Sequence, residues 1–271
     1  MINPAYVLGH SEFELGRLAR QERLVRPATR EYLLTAGIAP GMRVLDVGSG
    51  AGAVAFIAAD LVGPSGQVVG TDLAPTAIAA ATAGATKRRL GNVSFHQGNP
   101  AEMIFERLFD AVVGRYVLLF QPDPADMLRR LAKLVRPGGV LVFHEPDWSF
   151  ARSDPPAPLY DRCHRWVVDI FERVGTSTNM SAKLHRAFIG AGLPPPVMRM
   201  RATIGERRHR SGLAAGRGGT RHRSGTHYEE KAVASLAEMG CETLVERVIE
   251  DVAANGSMIV GRAEIGAWVR V

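Results

Sequence analysis

Gly48, Gly50 and Gly52 form the stretch of this chain whose residue types are best suited to binding a ligand. Because glycine has no Cβ, a turn built from glycines lets the backbone approach ligand atoms closely. A helix that follows such a turn offers free N–H groups to polar or anionic groups. Asp72 comes about 20 residues later, at the position where a carboxylate accepts hydrogen bonds from ribose hydroxyls in adenine-nucleoside sites. The spacing therefore predicts a site for a nucleoside cofactor.

The glycine spacing leaves two classes of cofactor open. The dinucleotide fingerprint is G-x-G-x-x-G, and this chain has Ala53 where the third glycine would stand, a replacement that the fingerprint tolerates. That fingerprint does not require an acid just before the glycines, and Asp46 is such an acid. We include Ser49, inside the turn, and Leu73, directly after Asp72, among the residues expected to contact the cofactor.

The elements that must position these residues alternate between strands and helices. Short apolar runs predict strands at residues 43–47, 67–71, 93–97, 109–114 and 140–144. The segments between them predict helices at residues 53–62, 75–89 and 124–134. This alternation implies βαβ units and a parallel sheet, an α/β fold whose crossovers are right-handed.

The segments on either side of this core differ from it in character. Residues 1–36 are expected to form an N-terminal helical lid that is capped at Ser11 and interrupted at Pro27. Residues 37–147 form the cofactor-binding core, and residues 148–271 the substrate-cap helices and C-terminal strands. Within this last part, residues 205–227 are rich in Arg, Gly and His and poor in large apolar side chains, so we expect a flexible surface loop.

The segments after residue 147 carry their own predicted elements. Helices are expected at residues 159–174, 180–191 and 228–254, and a strand at residues 197–204. Residues 257–271 could supply a final strand or a hairpin around Gly261 and Gly266.

Polar and aromatic side chains follow the fourth and fifth predicted strands, where ligands bind in open α/β sheets. His144 and Arg115 are the candidate catalytic residues. An imidazole titrates near neutral pH and could take a proton from the substrate, and a guanidinium could pair with a substrate carboxylate. Glu145 could attract a cationic amine, and Trp148 could stack on a ring. A purely structural role stays open for each of them.

The N-terminal lid adds two candidates for substrate contact, Tyr6 and His10. Both would reach the substrate if the lid covers the pocket. An N-terminal arm packed on the surface explains them equally well.

Composition is ordinary for a folded globular protein, with 46% hydrophobic and 22% charged residues in a chain of 271. The net charge of +6 comes mainly from arginines in residues 205–227, so it is weak evidence for nucleic-acid binding. Cys163 and Cys241 match no metal-ligand spacing, so we expect no metal site and reduced thiols in a cytoplasmic protein. We expect no signal peptide and no membrane span.

Residues 44–52, VLDVGSGAG, resemble motif I of the class I S-adenosylmethionine-dependent methyltransferases. Other segments fit the same family in order: Asp72 resembles its ribose-binding acid, Gly98-Asn99 the pair that holds the adenine amine, residues 109–115 the strand-four motif, and residues 134–139 the turn before strand five. The resemblance covers residues 36–147. It implies a Rossmann-like three-layer sandwich with a mostly parallel seven-stranded sheet, an antiparallel last strand and a helical cap.

The resemblance also implies S-adenosylmethionine as the cofactor. Gly98, Asn99 and Arg115 then join the residues expected to bind it. Asn99 departs from the family pattern, which usually has Asp at this position. Its amide oxygen can still accept a hydrogen bond from an amine, but it brings no charge.

The function implied is in-line transfer of a methyl group to an O, N or C atom of a small molecule. Three alternatives stay open: a non-catalytic protein of the same fold that binds S-adenosylmethionine, an NAD(P)-dependent oxidoreductase and an RNA methyltransferase. The arginines of residues 205–227 lack interleaved aromatic residues for base stacking, which counts against RNA. We therefore expect a small-molecule partner rather than nucleic acid or membrane. A homodimer stays open.

Overall fold

The computed structural model describes the backbone of residues 12–205 and 243–271, with side chains from residue 22 onward. Within those ranges the helices are α1 Glu12–Ala36, α2 Ala53–Val62, α3 Pro75–Lys87, α4 Pro124–Ala132, α5 Pro158–Arg173, α6 Met180–Gly190 and α7 Leu244–Ala254. The strands there are β1 Arg43–Val47, β2 Gln67–Asp72, β3 Val93–Gln97, β4 Phe109–Arg115, β5 Val135–Asp147, β6 Arg152–Asp154, β7 Val197–Gly205 and β8 Met258–Arg270. The residues form two compact units.

The larger unit contains residues 26–149, 176–201 and 263–271 and is built on a parallel sheet. Strands β1 to β5 run in the order β3-β2-β1-β4-β5, and every neighbouring pair is parallel. Strand residues of both parities are fully buried, for example Val113 on one face and Val112 on the other. A strand buried on both faces needs a continuous apolar run, which the central strands β1 and β4 approach, whereas the edge strand β3 is half-buried or exposed.

The last strand closes this sheet with a change of direction. β8 pairs antiparallel with β5, from Val140↔Arg270 to Asp147↔Ala263. This confirms the expected fold, a mostly parallel sheet whose last strand is antiparallel. Among the described residues the sheet has eight strands rather than the seven expected: β1 to β5, then β8, and in addition β6 and β7, which both pair with β8.

The carboxyl ends of the central strands lie side by side. The β1–β2 register ends at Val47↔Thr71, and the β1–β4 register ends at Val47↔Gly114. The β4–β5 register ends one residue later, at Arg115↔His144. The turn after β1, Asp72 and the segment after β4 are therefore neighbours at one edge of the sheet.

Helix α1 differs from the expectation of an interruption at Pro27. The helix runs unbroken from Glu12 to Ala36 with Pro27 inside it. A proline inside a helix costs about 3 kcal/mol through a lost hydrogen bond and a steric clash. Pro27 is exposed, whereas Tyr32 and Leu33 are buried in the core, and each contributes roughly 1.5–3 kcal/mol. Burial of the apolar face therefore outweighs the local cost of the proline.

Strand β5 begins earlier than expected. The sequence predicts a turn at residues 137–139 and a strand at residues 140–144, whereas β5 spans Val135–Asp147. Val135 pairs with Phe109, and the register then shifts before the Ala111↔Val140 pair. The predicted turn lies inside this irregular stretch.

The smaller unit contains residues 12–25, 150–175, 202–205 and 243–262 of the described ranges. Its apolar cluster joins α5 and α7 through Tyr160, Cys163, Val248 and Val252. Asp251 accepts hydrogen bonds from the N–H groups that open α5, at 2.9 Å from Leu159 and 3.3 Å from Tyr160. An acid at a helix N-terminus satisfies donors that have no partner inside the helix.

Several expectations lie outside the described residues. These are the cap at Ser11, the substrate candidates Tyr6 and His10, Cys241, almost all of the 205–227 loop and most of the 228–254 helix. Across the described helices, none is both long enough and apolar enough to cross a membrane.

Gly266 of β8 offers a direct test of the packing of α1. A Cβ at this position would lie 2.5 Å from the ring of Tyr32, which is fully buried. We expect Gly266→Ala to lower the free energy of unfolding by about 1–3 kcal/mol, because the core has no room for the methyl group. Urea denaturation measures the change.

Gly91→Ala is the matched control, since no atom of the described residues lies within 4 Å of its Cβ position. We expect it to change the free energy of unfolding by less than about 0.5 kcal/mol. Equal losses in the two variants would contradict the packing of Tyr32 against Gly266.

Candidate cofactor site

The turn between β1 and α2 leaves its backbone open at Gly50. This residue has a φ of +52°, in the left-handed region that favours glycine. No atom of the described residues lies within 4 Å of the Cβ position of Gly50. A ligand can therefore approach the backbone here where any side chain would stand in its way.

Asp72 lies directly across from that opening. Its Oδ2 accepts a hydrogen bond from the Gly50 N–H at 2.9 Å, and its Oδ1 accepts one from the Ala74 N–H at 2.9 Å. The carboxylate is half-buried, and each of its oxygens can accept more than one hydrogen bond. Two backbone donors thus fix the orientation of the carboxylate and leave acceptor capacity for hydroxyl groups.

Asp46 and Ser49 are less accessible than their place in the motif suggests. Both are buried. The Thr71 hydroxyl donates to the Asp46 carbonyl at 3.4 Å, and the Ser49 N–H donates to the Thr71 carbonyl at 2.9 Å. The Ser49 Oγ has no hydrogen-bond partner among the described residues. These contacts hold the turn against β2, and direct contact of Asp46 and Ser49 with a cofactor stays a prediction.

The two remaining sides of the predicted adenine pocket come from the ends of β2 and β3. Leu73 is 67% exposed and presents an apolar surface directly after Asp72. Asn99 follows Gly98, and its Oδ1 accepts a hydrogen bond from the Ala101 N–H at 3.1 Å. Its Nδ2 donates to Glu102 at 2.9 Å. These bonds fix the amide, whose oxygen keeps a second lone pair for an amine.

His144, one of the two predicted catalytic residues, lies inside a buried polar network. It is 2% exposed, and both ring nitrogens are engaged. Nδ1 lies 3.0 Å from the Thr29 Oγ1, and Nε2 lies 2.9 Å from the Glu264 Oε2. The Tyr32 ring packs edge-on against it at 5.0 Å between centroids. His144 therefore contacts other protein groups rather than open space.

Arg115, the other predicted catalytic residue, belongs to the same network. Its Nη1 donates to the Thr29 Oγ1 at 3.0 Å. The next residue, Tyr116, donates its hydroxyl proton to the Glu264 Oε2 at 2.7 Å. Both side chains are half-buried, so they are the members of the network on the β4 side that reach the surface.

Sequence reasoning missed two members of this network, Thr29 and Glu264. Thr29 lies on α1 and Glu264 on β8. Thr29 is 86 residues from its partner Arg115 along the chain, and Glu264 is 120 residues from its partner His144. Neither residue belongs to a motif. The antiparallel pairing of β8 with β5 brings Glu264 to His144, and no local sequence pattern predicts that pairing.

Glu145, predicted to contact the substrate, faces the interior. It is fully buried and accepts hydrogen bonds from the N–H groups of Val117 at 2.9 Å and Leu118 at 2.8 Å, with a longer contact to Leu119. Burial raises the pKa of Glu145 to about 8, although the backbone donors oppose that shift. The side chain thus holds the segment that follows β4.

The segment after β5 is held in the same manner. Asp147 is fully buried and accepts hydrogen bonds from the N–H groups of Ser149 at 2.9 Å and Ser181 at 2.7 Å. Trp148, the other predicted substrate contact, is buried, and its N–H donates to the Thr178 carbonyl at 2.8 Å. Its contact with a substrate stays a prediction.

Two cavities lie away from this site. One, of about 550 Å³, lies between the end of α3 and β3 and is lined by residues such as Thr86 and Phe95. The other, of about 340 Å³, lies at the amino ends of the central strands beside Arg43 and Asp110. Neither contains a predicted cofactor residue. Within the described ranges, no group of three or more His, Cys, Asp or Glu side chains is placed to hold a metal ion.

A parallel sheet with a glycine turn after β1 and a fixed carboxylate at the end of β2 defines a nucleoside-binding α/β domain. The family described as "Methyltransferase domain" matches residues 38–191. The chain belongs to this family. S-adenosylmethionine is the methyl donor that this membership implies. The open backbone at Gly50 and the remaining acceptor capacity of the fixed Asp72 carboxylate are compatible with a ribose at this place.

Two relatives whose names state an activity each match part of the chain. Nocamycin O-methyltransferase of Saccharothrix syringae is 42% identical over 115 residues, which are 42% of this chain and 41% of that protein. Aklanonic acid methyltransferase DauC of Streptomyces sp. (strain C5) is 42% identical over 112 residues, 39% of this chain and 49% of that protein. The matched part therefore spans less than half the length of these two relatives.

Similarity to a solved structure extends over almost the whole chain. The YcgJ protein from Bacillus subtilis has a TM-score of 0.55 and 16% sequence identity, over 91% of this chain and 99% of that one. At this identity the comparison shows the fold, and it supports the Rossmann-like arrangement expected from the sequence.

The buried Glu145 predicts a pH dependence of stability. Its folded pKa of about 8 exceeds the usual value near 4.5, so between these two values the folded state binds more protons than the unfolded state. The free energy of unfolding should therefore fall as pH rises from about 5 to 8, by up to about 1.4 kcal/mol per pH unit. Glu145→Gln should lose this fall, because an amide does not titrate.

Chemical denaturation at several pH values measures the slope. Glu106→Gln is the control, since Glu106 is exposed and should keep the slope of the unmodified protein. An unchanged slope in Glu145→Gln would contradict the raised pKa.

Proposed function

We propose that this protein is an S-adenosylmethionine-dependent methyltransferase that methylates a small molecule by in-line transfer. The observation that carries the proposal is the Asp72 carboxylate, fixed by the N–H groups of Gly50 and Ala74 beside an open stretch of backbone. A carboxylate in that position suits a ribose, whose two hydroxyl groups both donate hydrogen bonds. Membership of the methyltransferase family supports the same conclusion.

The chain's own residues have three tasks in this proposal. Asp72 would hold the ribose, while Leu73, Gly98 and Asn99 would hold the adenine. Bound S-adenosylmethionine supplies a methyl group on a positively charged sulfur, which is already a good leaving group. The protein therefore needs mainly to orient the acceptor and exclude water.

The acceptor atom in this proposal is an oxygen. One matched relative is named an O-methyltransferase, and another is named for aklanonic acid, which its name identifies as an acid. We infer a hydroxyl or carboxyl acceptor, with N and C acceptors as the alternatives. Arg115, half-buried at the end of β4, would lie near an acidic acceptor. Glu145 and Trp148 would shape the pocket from behind, since both are buried.

The cellular location of the enzyme and the type of its partner are part of the same proposal. We infer a cytoplasmic protein that acts on a small molecule rather than on nucleic acid. The described cysteine, Cys163, is a buried free thiol, as a reducing compartment allows. A homodimer is compatible with this function, and light scattering measures the oligomeric state.

Calorimetric titration with S-adenosylmethionine tests the cofactor site. We expect micromolar binding to the unmodified protein and a loss of about 10- to 100-fold in Asp72→Ala, because hydrogen bonds to a charged group contribute about 1.5–3 kcal/mol. Asp60→Ala is the matched control: Asp60 forms an exposed ion pair with Arg26 and should keep full affinity. Equal affinity in Asp72→Ala and the unmodified protein would rule out the proposed ribose contact.

A transfer assay separates the enzyme from its alternatives. S-adenosylmethionine with a labelled methyl group is incubated with aklanonic acid and a panel of phenols, carboxylic acids and amines. Labelled product from any acceptor supports the proposal. Tight binding without transfer to any acceptor favours the non-catalytic alternative, and binding of NAD(P) instead would favour an oxidoreductase.

A further inference from the structure

Glu264 lies on the ligand side of the sheet edge. It stands opposite Pro146 in the β5–β8 register, two residues beyond His144. The last β4–β5 pair is Arg115↔His144, so Glu264 lies past the carboxyl end of β4. Ligands bind outside the carboxyl ends of the strands in open α/β sheets. The Glu264 side chain is 14% exposed, which places a carboxylate at this edge within reach of small molecules.

Tyr116 joins this carboxylate to the cofactor turn. Its φ of +59° is rare for a residue with a bulky side chain, and such outliers cluster at functional sites. In this conformation its hydroxyl donates to the Glu264 Oε2 at 2.7 Å, and its N–H donates to the His144 carbonyl at 2.9 Å. The next residue, Val117, lies against the turn, with its Cγ2 2.9 Å from the Cβ position of Gly48.

His144 is too enclosed to meet a substrate but is well placed to hold Glu264. Because an ionised carboxylate only accepts, the His144 Nε2 must carry the proton that it shares with Glu264. The Nδ1 and the Arg115 Nη1 both lie 3.0 Å from the Thr29 Oγ1. The Thr29 hydroxyl can accept a hydrogen bond from the Arg115 guanidinium and donate its own proton to Nδ1, so these contacts fit a neutral imidazole that accepts at Nδ1.

We propose that Tyr116 and Glu264 form the proton-accepting pair for the methyl acceptor, with His144 and Thr29 as positioning residues. This inference rests on the proposed function. Tyr116 would take the proton of the acceptor O–H while its own proton passes to Glu264. The acceptor oxygen forms its bond to the methyl carbon, and the carbon–sulfur bond breaks with its electron pair on sulfur. Glu264 then releases the proton to solvent.

The geometry explains why both residues are needed. Tyr116 is half-buried and directly precedes Val117, which lies against the cofactor turn. Glu264 accepts two hydrogen bonds on one oxygen, from Tyr116 and His144, and these hold its carboxylate in place. A phenol alone is a weak base, and a carboxylate that accepts its proton makes it a useful one. The pair therefore acts as a unit, and removal of either member should cost about as much as removal of both.

The first experiment needs no acceptor. Nitrogen NMR of the histidine-labelled protein, saturated with S-adenosylhomocysteine, reports the protonation of His144, with His144→Gln used for assignment. We expect a neutral ring protonated at Nε2 at pH 7, and a disturbed Nε2 signal in Glu264→Gln. Protons on both nitrogens would overturn the proposal, because an imidazolium beside Glu264 would remove the basicity that the step requires.

The second experiment uses turnover of the acceptors in the panel above. We expect Tyr116→Phe, Glu264→Gln and the double variant each to lower kcat about 100-fold, with the affinity for S-adenosylhomocysteine within twofold of the unmodified protein. Tyr160→Phe is the matched control: its hydroxyl donates to the Val260 carbonyl away from this network, and it should keep kcat. Glu264→Asp should recover part of the loss, which a purely structural defect would not.

The outcomes separate the two proposals. No binding of S-adenosylhomocysteine to the unmodified protein overturns the proposed function, and this inference with it. Binding without transfer to any acceptor in the panel does the same. Binding and transfer that survive Tyr116→Phe or Glu264→Gln overturn this inference alone.

Discussion

The hydrogen bond between the Asp72 carboxylate and the Gly50 N–H is the interaction on which the proposed cofactor site depends. It ties the end of β2 to the turn after β1, and the bond from Ser49 N–H to the Thr71 carbonyl reinforces it. Parallel registry makes this contact available, because Val47 and Thr71 are paired and the chain continues past both in the same direction. A backbone donor cannot rotate away, so the carboxylate is oriented before any ligand arrives.

A second set of polar contacts connects the flanking elements to that edge. Thr29 of α1, His144 of β5 and Glu264 of β8 are joined by bonds of 2.9–3.0 Å. Buried polar groups without partners are costly, so each member of such a network requires the others. Glu145 and Asp147 fix the segments after β4 and β5, where they accept hydrogen bonds from the backbone N–H groups of Val117 and Ser149. Acidic side chains beside the proposed ligand site thus serve partly to fix the conformation of the loops.

The sequence predicts the parallel half of the fold well because its signals are local. The central strands are short apolar runs, and the glycines of the turn and Asp72 have fixed spacing that the structure keeps. Pro27 was misleading, since burial of Tyr32 outweighs a local helix breaker. Glu264 and Thr29 could not be found, because their roles arise from strand pairing and helix packing between distant segments. The inward direction of Glu145 was equally hidden, because neighbouring β5 residues on both faces, such as His144 and Glu145, are buried, so alternation along the strand does not separate buried from exposed positions.

A crystal structure of the complex with S-adenosylhomocysteine tests the central claim most directly. The account predicts density at the carboxyl ends of β1 and β2, with both ribose hydroxyls within hydrogen-bond distance of Asp72 and the ligand against the backbone of Gly50. It also predicts little movement of the Asp72 carboxylate, since two backbone donors already hold it. Density elsewhere, or a ribose that does not contact Asp72, would contradict the account.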